Sequence, residues 1–461
     1  MPGDPGPDRA AASPASEPPK ASNDTASRDA AVRVITELRA AGHVAYLAGG
    51  CVRDRVLGEQ PTDHDVATDA PPEVVRRVWR RSRYVGEAFG VVLARLGPHQ
   101  VEVATFRRES GYDDHRRPSE VHFTDAREDA SRRDFTINGL FEDPAGPGYQ
   151  PPLDVPHART RRLDEGSVVI DYVGGLIDLE RRVVRAIGEP SRRFDEDYLR
   201  MLRAVRFAAR LGFDLDDDTA RAIRPLGRYL GSISRERIGD ETRKMLLGPR
   251  PATAAALCQS LRLDGPTLNE DHAEPALPTL EAFEARGIAA ALQVPLAAWM
   301  LDRHAPGGGL DRLADFAAGT AERTIKRWRD ALNLSNAERD ATARLFRALG
   351  ELHHWPTLGK AARKRLLAHP GWDAAVALLA AVPGDDCRRL EARVHAEAPP
   401  LIAEGVAPEP LIRGDDLLTL GLKPGPRFKG LLESAYDAQL EGETPTRDAA
   451  LDRLRREVTG G

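Results

Sequence analysis

The sequence predicts an α+β protein, a sheet domain in the N-terminal part followed by an all-helical C-terminal half. Three observations support this. Strand-like and helix-like segments alternate from about residue 30 to residue 172. A glycine-proline turn at 97–98 joins two apolar runs, Val91–Leu96 and Gln100–Phe106, as in a hairpin. Beyond Gly174-Gly175 the chain becomes rich in Ala and Leu and loses its strand signals.

Each element can be taken in order. Residues 1–27 are rich in Pro, Ala, Ser and Asp, bury little, and are expected to be a disordered tail. A helical pattern opens the ordered chain at Ala30–Ala41. His43–Ala48 reads as a strand ending in Gly49-Gly50, Val52–Leu57 as a short helix, and Asp63–Thr68 as a second strand. Pro72–Arg80 reads as a helix opened by prolines, which fit a first helical turn. Residues 144–167 form a polar loop rich in Pro, Gly and Arg, expected to be an insertion, before a last strand at Val168–Tyr172. The expected organisation is a sheet domain over 28–180, a helical segment over 181–250, a helical body over 251–400 and a helical tail over 401–461.

The composition, 41% apolar and 30% charged, is that of a globular protein, and no run approaches the ~18–20 apolar residues of a membrane span. The N-terminus lacks the apolar stretch of a secretory signal, so the expected address is the cytoplasm. Three widely spaced cysteines, Cys51, Cys258 and Cys387, argue for reduced thiols. The formal charge of −5 is mildly unusual for a nucleic-acid binder. Locally, however, residues 181–210 hold nine arginines against four acids, an excess of five positive charges suited to phosphates.

The chemistry concentrates in LAGGCVRDRVLGEQPTDHDVATDA, residues 47–70. Strand side chains alternate faces, so Asp63 and Asp65 share one face and His64 takes the other. Two carboxylates so placed repel unless a cation lies between them, and hard oxygen donors beside a phosphate site suit Mg²⁺. Gly49 and Gly50 let backbone approach a triphosphate at a helix N-terminus, with Arg53 on the first turn. A lone Asp-x-Asp is more often a solvated turn; the ordered combination of strand, Gly-Gly, Arg-Asp, short helix and Asp-x-Asp is far more specific. Glu102, on a neighbouring strand, is a candidate third carboxylate or a solvent-facing strand residue.

Further along, taking 100° per residue from Arg200, Met201, Leu202, Val205, Ala208 and Ala209 fall on one packing arc. Asp197, Arg200, Arg203, Arg206 and Arg210 occupy the rest. A charged face is usually a solvated one. The exclusive use of Arg, whose planar fork gives directional hydrogen bonds, favours a reading face. Residues 423–426, Lys-Pro-Gly-Pro, lead into a helix whose first turn carries Arg427 and Lys429, either a weaker phosphate site or an ordinary helix N-terminus.

The block at residues 47–70 resembles the signature of the tRNA CCA-adding enzyme and bacterial poly(A) polymerase family, within the polymerase-β-like nucleotidyltransferases. EDASRRDFTINGL (128–140), DYVGGLIDL (171–179), EDYLRMLRAVRFAARLGF (196–213) and the tail segment 413–443 agree in order. The resemblance implies that Asp63 and Asp65 bind the catalytic metals, and that Gly50, Arg53 and Arg133 hold the triphosphate. It places Asp134 at the ribose, and Asp197, Arg200, Arg203 and Arg206 on the helix facing the incoming base. It implies two-metal transfer of nucleotides from CTP and ATP to an RNA 3′ end, most simply CCA addition to tRNA. Poly(A) synthesis, or addition of only CC or only A, is the alternative, and a catalytically dead RNA-binding relative is disfavoured by retention of both aspartates. No His-Asp dipeptide follows residue 65, so a fused phosphohydrolase of that type is unsupported. Nothing points to a membrane or to an obligate protein partner.

Overall fold

A computed structural model describes residues 21–80, 82–84, 90–111, 120–288 and 290–459. It divides into two compact units that meet in sequence between Glu189 and Pro190. Residues 181–189, expected with the helical segment, therefore fold with the first unit.

The first unit is built on an eight-stranded sheet. Its strands are β1 (Ala45–Ala48), β2 (Val66–Thr68), β3 (Ser82–Tyr84), β4 (Val91–Leu96), β5 (His99–Thr105), β8 (Leu140–Asp143), β9 (Arg159–Arg162) and β10 (Val168–Asp171). Two further strands, β6 (Arg107–Ser110) and β7 (Glu120–Phe123), form a separate antiparallel hairpin. The sheet order is β3-β4-β5-β2-β1-β8-β10-β9, antiparallel throughout except for the parallel pair β2–β5. Five helices accompany it: α1 (Ala21–Ala40), α2 (Gly50–Val56), α3 (Pro72–Val78), α4 (Ala126–Arg132) and α5 (Gly175–Arg181).

Strand alternation divides the core. Tyr46, Ala48, Ala67, Phe106, Phe141 and Ile170 pack together on the face covered by Ala126 and Ala130 of α4. The opposite residues Ala45, Leu47 and Val66 are equally buried, on the side of the Ala31, Val34, Ile35 and Leu38 stripe of α1. This two-sided burial explains why β1 and β2 read as nearly continuous apolar runs.

Three expectations need correction. The disordered tail was drawn to residue 27, but α1 begins at Ala21; residues 1–20 lie outside the described residues. Local composition misses that Ser27 lies 3.4 Å from His64 Nδ1 and that Arg28 pairs at 2.9 Å with the fully buried Glu142. The loop 144–167 contains β9, whose Arg-Thr-Arg-Arg sequence looks like a loop because it forms a solvated sheet edge. The regular part of the second strand begins only at Val66, although the side-chain alternation extends back to Asp63. Strands β3, β6 and β7 are polar and short, and carried no recognisable apolar alternation.

Local chemistry sets the helix ends. Asp125 caps α4 by accepting from the Glu128 N–H at 2.9 Å. Asp171 accepts four backbone N–H groups, those of Val173, Gly174, Gly175 and Leu176, at 2.8–3.0 Å, which starts α5. A Cβ on Gly175 would lie 2.2 Å from the Thr136 carbonyl oxygen. Gly175→Ala is therefore expected to cost about 1–3 kcal/mol through overpacking against rigid backbone. Urea unfolding of the two proteins checks this, and a loss under ~0.5 kcal/mol would contradict it.

The second unit is helical. It opens with α6 (Pro190–Glu196), α7 (Leu199–Leu211), α8 (Asp217–Leu226) and α9 (Arg235–Leu246), and continues as helices to residue 459. The anticipated packing face of α7, Met201, Leu202, Val205, Ala208 and Ala209, is buried. The tail has a small core of its own around Ile412, Leu417, Ala435, Ala450 and Leu454. Among the described residues no helix is long and apolar enough to cross a membrane. Cys51, Cys258 and Cys387 are all buried and unbridged.

Candidate active site

The site begins where β1 stops. Gly49 has φ 79° and ψ −129°, a conformation that a side chain would strain. Its N–H donates to the Leu140 carbonyl at 2.9 Å, and its carbonyl accepts from the Arg53 N–H at 3.2 Å. A Cβ here would come 2.9 Å from Arg133 Nη1. Glycine thus lets the turn pass directly beside a guanidinium while α2 starts at Gly50.

Asp63 and Asp65 are exposed and His64, between them, is 4% exposed. The anticipated alternation therefore holds: His64 points to the α1 side, and both aspartates point to the α4 side. Across the parallel pair Val66 is in register with Val103, so Asp65 and Glu102, each one residue earlier, stand side by side. Asp65 is open to solvent on one side and crowded by protein on the others. Burial, then the negative charges of Glu102 and Asp63, push its carboxyl up to about 6, while Arg133 draws it down. Among the described residues no group of three or more Asp, Glu, His or Cys side chains is gathered closely enough to hold a metal ion by itself. The arrangement is an open row of hard oxygen donors whose mutual repulsion a divalent cation would relieve, and so it fits one.

The arginines are placed less simply than the spacing suggests. Arg53 was expected to extend toward phosphates from the first turn of α2, but its side chain is only 2% exposed. Its Nε donates to Asp54 Oδ1 at 2.7 Å and its Nη1 to Asn138 Oδ1 at 2.6 Å. Asn138 Nδ2 in turn donates to Asp134 Oδ1 at 3.0 Å, and that oxygen also accepts from the Phe135 N–H at 2.8 Å. The carboxylate expected at a ribose is thus tied into a buried chain running Asp134, Asn138, Arg53, Asp54. Arg133 lies nearer the front. Asp129 holds its Nε and Nη2 at 3.2 and 3.1 Å, and its guanidinium sits 5.2 Å from the Phe141 ring centroid. Burial opposes ionisation of Asp129, but Arg133 and Arg132 more than offset it and hold its carboxyl below the usual range.

Asn138, Asp129 and Asp54 were not singled out from the sequence. Asp54 lies within the stretch 47–70, and Asp129 and Asn138 within 128–140, but nothing local shows that two segments 85 residues apart share one guanidinium.

The remaining candidates lie in the second unit. Asp197 is not on the same helix as Arg200, since α6 ends at Glu196 and α7 starts at Leu199. Its carboxylate accepts from the Leu199 N–H at 3.1 Å and forms a two-pronged pair with Arg237 of α9, at 3.2 and 2.6 Å. Arg200 is buried rather than displayed, with Nη1 donating to the Arg193 carbonyl at 2.8 Å and to Glu196. Arg206 Nε donates to Glu241 at 2.6 Å, and Arg203 lies 3.9 Å from the same carboxylate. The polar arc of α7 is thus laced with ion pairs, largely to α9. Arg237 and the buried Glu241, spaced i and i+4, are the partners that inspection of α7 alone misses. In the tail, Arg427 and Lys429 are exposed on the first turns of the helix Pro426–Glu441, and Lys429 lies 3.6 Å from Glu433.

Residues 45–185 match the Poly A polymerase head domain, and residues 212–263 match the probable RNA and SrmB-binding site of polymerase A. The CCA-adding enzyme of Enterococcus faecalis is 42% identical over 219 residues, 47% of this chain and 49% of that protein. The Bacillus pumilus CCA-adding enzyme is 36% identical over 261 residues, 56% and 60% of the two chains. The chain therefore spans about half the length of the curated relatives it matches. The structure of the Bacillus stearothermophilus CCA-adding enzyme in complex with CTP, 28% identical, covers 94% of this chain and 98% of that one, with a TM-score of 0.62. The Gly-Gly turn, the paired aspartates and the Arg-Asp-Phe-Thr-Ile-Asn segment, assembled on one sheet, all lie within the residues similar to the Poly A polymerase head domain.

Proposed function

We propose that this protein adds CCA to the 3′ end of tRNA from CTP and ATP, releasing pyrophosphate, in the cytoplasm. The observation that carries the reading is the row Asp63, Asp65 and Glu102 on one sheet face, beside Arg133 and the Gly49-Gly50 turn. The names borne by the relatives favour CCA addition over poly(A) synthesis.

The reaction is in-line attack of an RNA 3′-hydroxyl on the α-phosphate of the nucleotide, with pyrophosphate leaving. Asp63 and Asp65, with Glu102 alongside, would hold Mg²⁺, which when bound acidifies the attacking hydroxyl and steadies the leaving group. Arg133, anchored by Asp129, offsets negative charge on the triphosphate. The glycine turn lets backbone N–H groups approach the phosphates. Arg53 supports that turn from beneath, with Nη2 within 3.6 Å of where a Gly50 Cβ would lie.

The deciding experiment incubates the purified protein with tRNA lacking its 3′ end, supplying CTP and ATP separately and together. CTP-dependent addition that stops after a few nucleotides, completed by ATP, supports the reading. Long A tracts on unrelated RNA would replace it with poly(A) synthesis.

For base choice the reading rests on Asp197, Arg203 and Arg206, the fourth candidate, Arg200, being buried against the Arg193 carbonyl and Glu196. A carboxylate accepts from the exocyclic amine that cytosine and adenine share, and a guanidinium donates to ring acceptors. Since Asp197 is oriented by Arg237, Asp197→Ala and Arg237→Ala should shift nucleotide preference in the same direction. Each should admit UTP or GTP with about ten- to a hundredfold less discrimination, for ~1–3 kcal/mol of lost pairing. The double variant should be little worse than either single one. Incorporation efficiencies for the four nucleotides test this, and equal slowing of all four would reduce the pair to a scaffold.

A further inference from the structure

A feature of the first unit plays no part in the chemistry above. Residues 72–100 contain six arginines, at 76, 77, 80, 81, 83 and 95, against two acids, Glu73 and Glu87. That is an excess of four positive charges in a chain whose formal charge is −5. The fold gathers part of this set, with Arg33 from α1, around an open concavity of about 810 Å³. Arg33, Arg77, Arg80, Arg95 and His99 line it together with Trp79, and Asp29 is its acid. It lies on the α1 side of the sheet, the face opposite Asp63 and Asp65.

These arginines differ from the partly buried ones of the same unit. Elsewhere in the same unit Arg28, Arg39, Arg53, Arg55, Arg107, Arg132 and Arg133 each carry a carboxylate partner. Arg33 is 3.3 Å from Glu37 in an exposed pair. Arg77, Arg80 and Arg95 are exposed and form no ion pair or side-chain hydrogen bond among the described residues. Trp79 is half-buried, with the Arg33 guanidinium 5.9 Å from its ring centroid. Its indole N–H is shielded from solvent and has no acceptor among the described residues. Three guanidinium groups without a carboxylate partner among the described residues, converging on one concavity with a single lining acid, raise its local potential toward anions.

We propose that this surface binds the phosphate backbone of an RNA at a distance from its reacting 3′ end, with Arg77, Arg80 and Arg95 on phosphates and Trp79 beneath a sugar or base. Planar arginine forks match phosphate oxygens, and an aromatic ring among them suits a nucleic acid. An anionic bilayer fits less well, because none of the large apolar side chains exposed among the described residues lies in the patch to enter lipid. The proposal takes its choice of polyanion from the RNA substrate proposed above.

The test uses the full chain in three forms: wild type, Arg77→Ala/Arg80→Ala/Arg95→Ala, and the same three positions changed to Lys. Binding of labelled tRNA is followed over a series of NaCl concentrations, and binding to phosphatidylserine vesicles is followed in parallel. The alanine variant should bind tRNA at low salt at least about tenfold more weakly. Its log–log salt dependence should be shallower by about two to three, one for each lost phosphate contact. The lysine variant should keep most of that slope, which separates lost charge from lost folding, and the KM for CTP should not move. Unchanged tRNA affinity and slope in the alanine variant, or a loss confined to vesicles, would overturn the proposal. Because binding needs no turnover, a wild type that holds RNA through these arginines but incorporates nothing removes only the proposed activity. A wild type that incorporates CTP with binding indifferent to them removes only this surface.

Discussion

Asp65→Asn is expected to reduce nucleotide incorporation by about a thousandfold or more while making the metal-free protein more stable. The first effect follows from removing one charged donor from the proposed phosphoryl-transfer site, on the order of 4 kcal/mol of barrier. The second follows from the crowding of Asp65 by burial, Glu102 and Asp63, which raises its carboxyl from 3.8 to about 6. A carboxyl with a raised folded value is easier to ionise in the unfolded chain. Its contribution to stability is therefore greatest below pH 4 and declines as pH rises through about 6. Thermal unfolding in a chelator should show that decline in the wild type and a weaker one in Asp65→Asn. A divalent cation should stabilise the wild type more at pH 8 than at pH 5, since protons compete for the same oxygens. Turnover close to wild type in the presence of Mg²⁺, or metal-induced stabilisation independent of pH, would refute the assignment.

Arg53→Ala should produce the largest loss of stability in the first unit. The guanidinium is buried between Asp54 and Asn138, themselves only 6% and 7% exposed, and links them to Asp134. Removing one member of a buried charged pair costs about 3–5 kcal/mol, much of the ~5–15 kcal/mol that holds a typical domain together. Arg53→Lys keeps the charge but cannot span both partners, and should recover only part of the loss. Because Arg53 underlies the Gly49-Gly50 turn, nucleotide binding should weaken for all four nucleotides with the order of preference unchanged. Denaturant unfolding and the four incorporation efficiencies read the two effects separately. A loss under ~1 kcal/mol would show that the buried chain is incidental, and a changed preference would place Arg53 at the base.

The two variants differ in how far sequence alone leads to them. Asp63 and Asp65 were legible because their relation is local: a period of two puts them on one face and His64 on the other, whatever lies around them. The hairpin of β4 and β5 and the packing stripe of α7 were legible for the same reason, since each depends on periodicity within a few residues. Arg53 was legible as a charged residue at a helix start, but its inward direction was not. That direction depends on Asn138, which local pattern cannot bring near.

Local pattern thus determined the α+β class, the order of the main elements, the shared face of the two aspartates and the family resemblance. Each is carried by short-range periodicity or by contiguous residues. Tertiary structure decided which charges are spent on holding the protein together. It turned Arg53 inward, paired Asp197 with Arg237 and Arg206 with the buried Glu241, and made an edge strand from Arg159–Arg162. It also extended α1 back to Ala21, where Ser27 and Arg28 meet His64 and Glu142. The physical reason for the charged groups is common to them: a charge is satisfied by whichever partner the fold places within about 3 Å, and those partners lie 35 to 114 residues away.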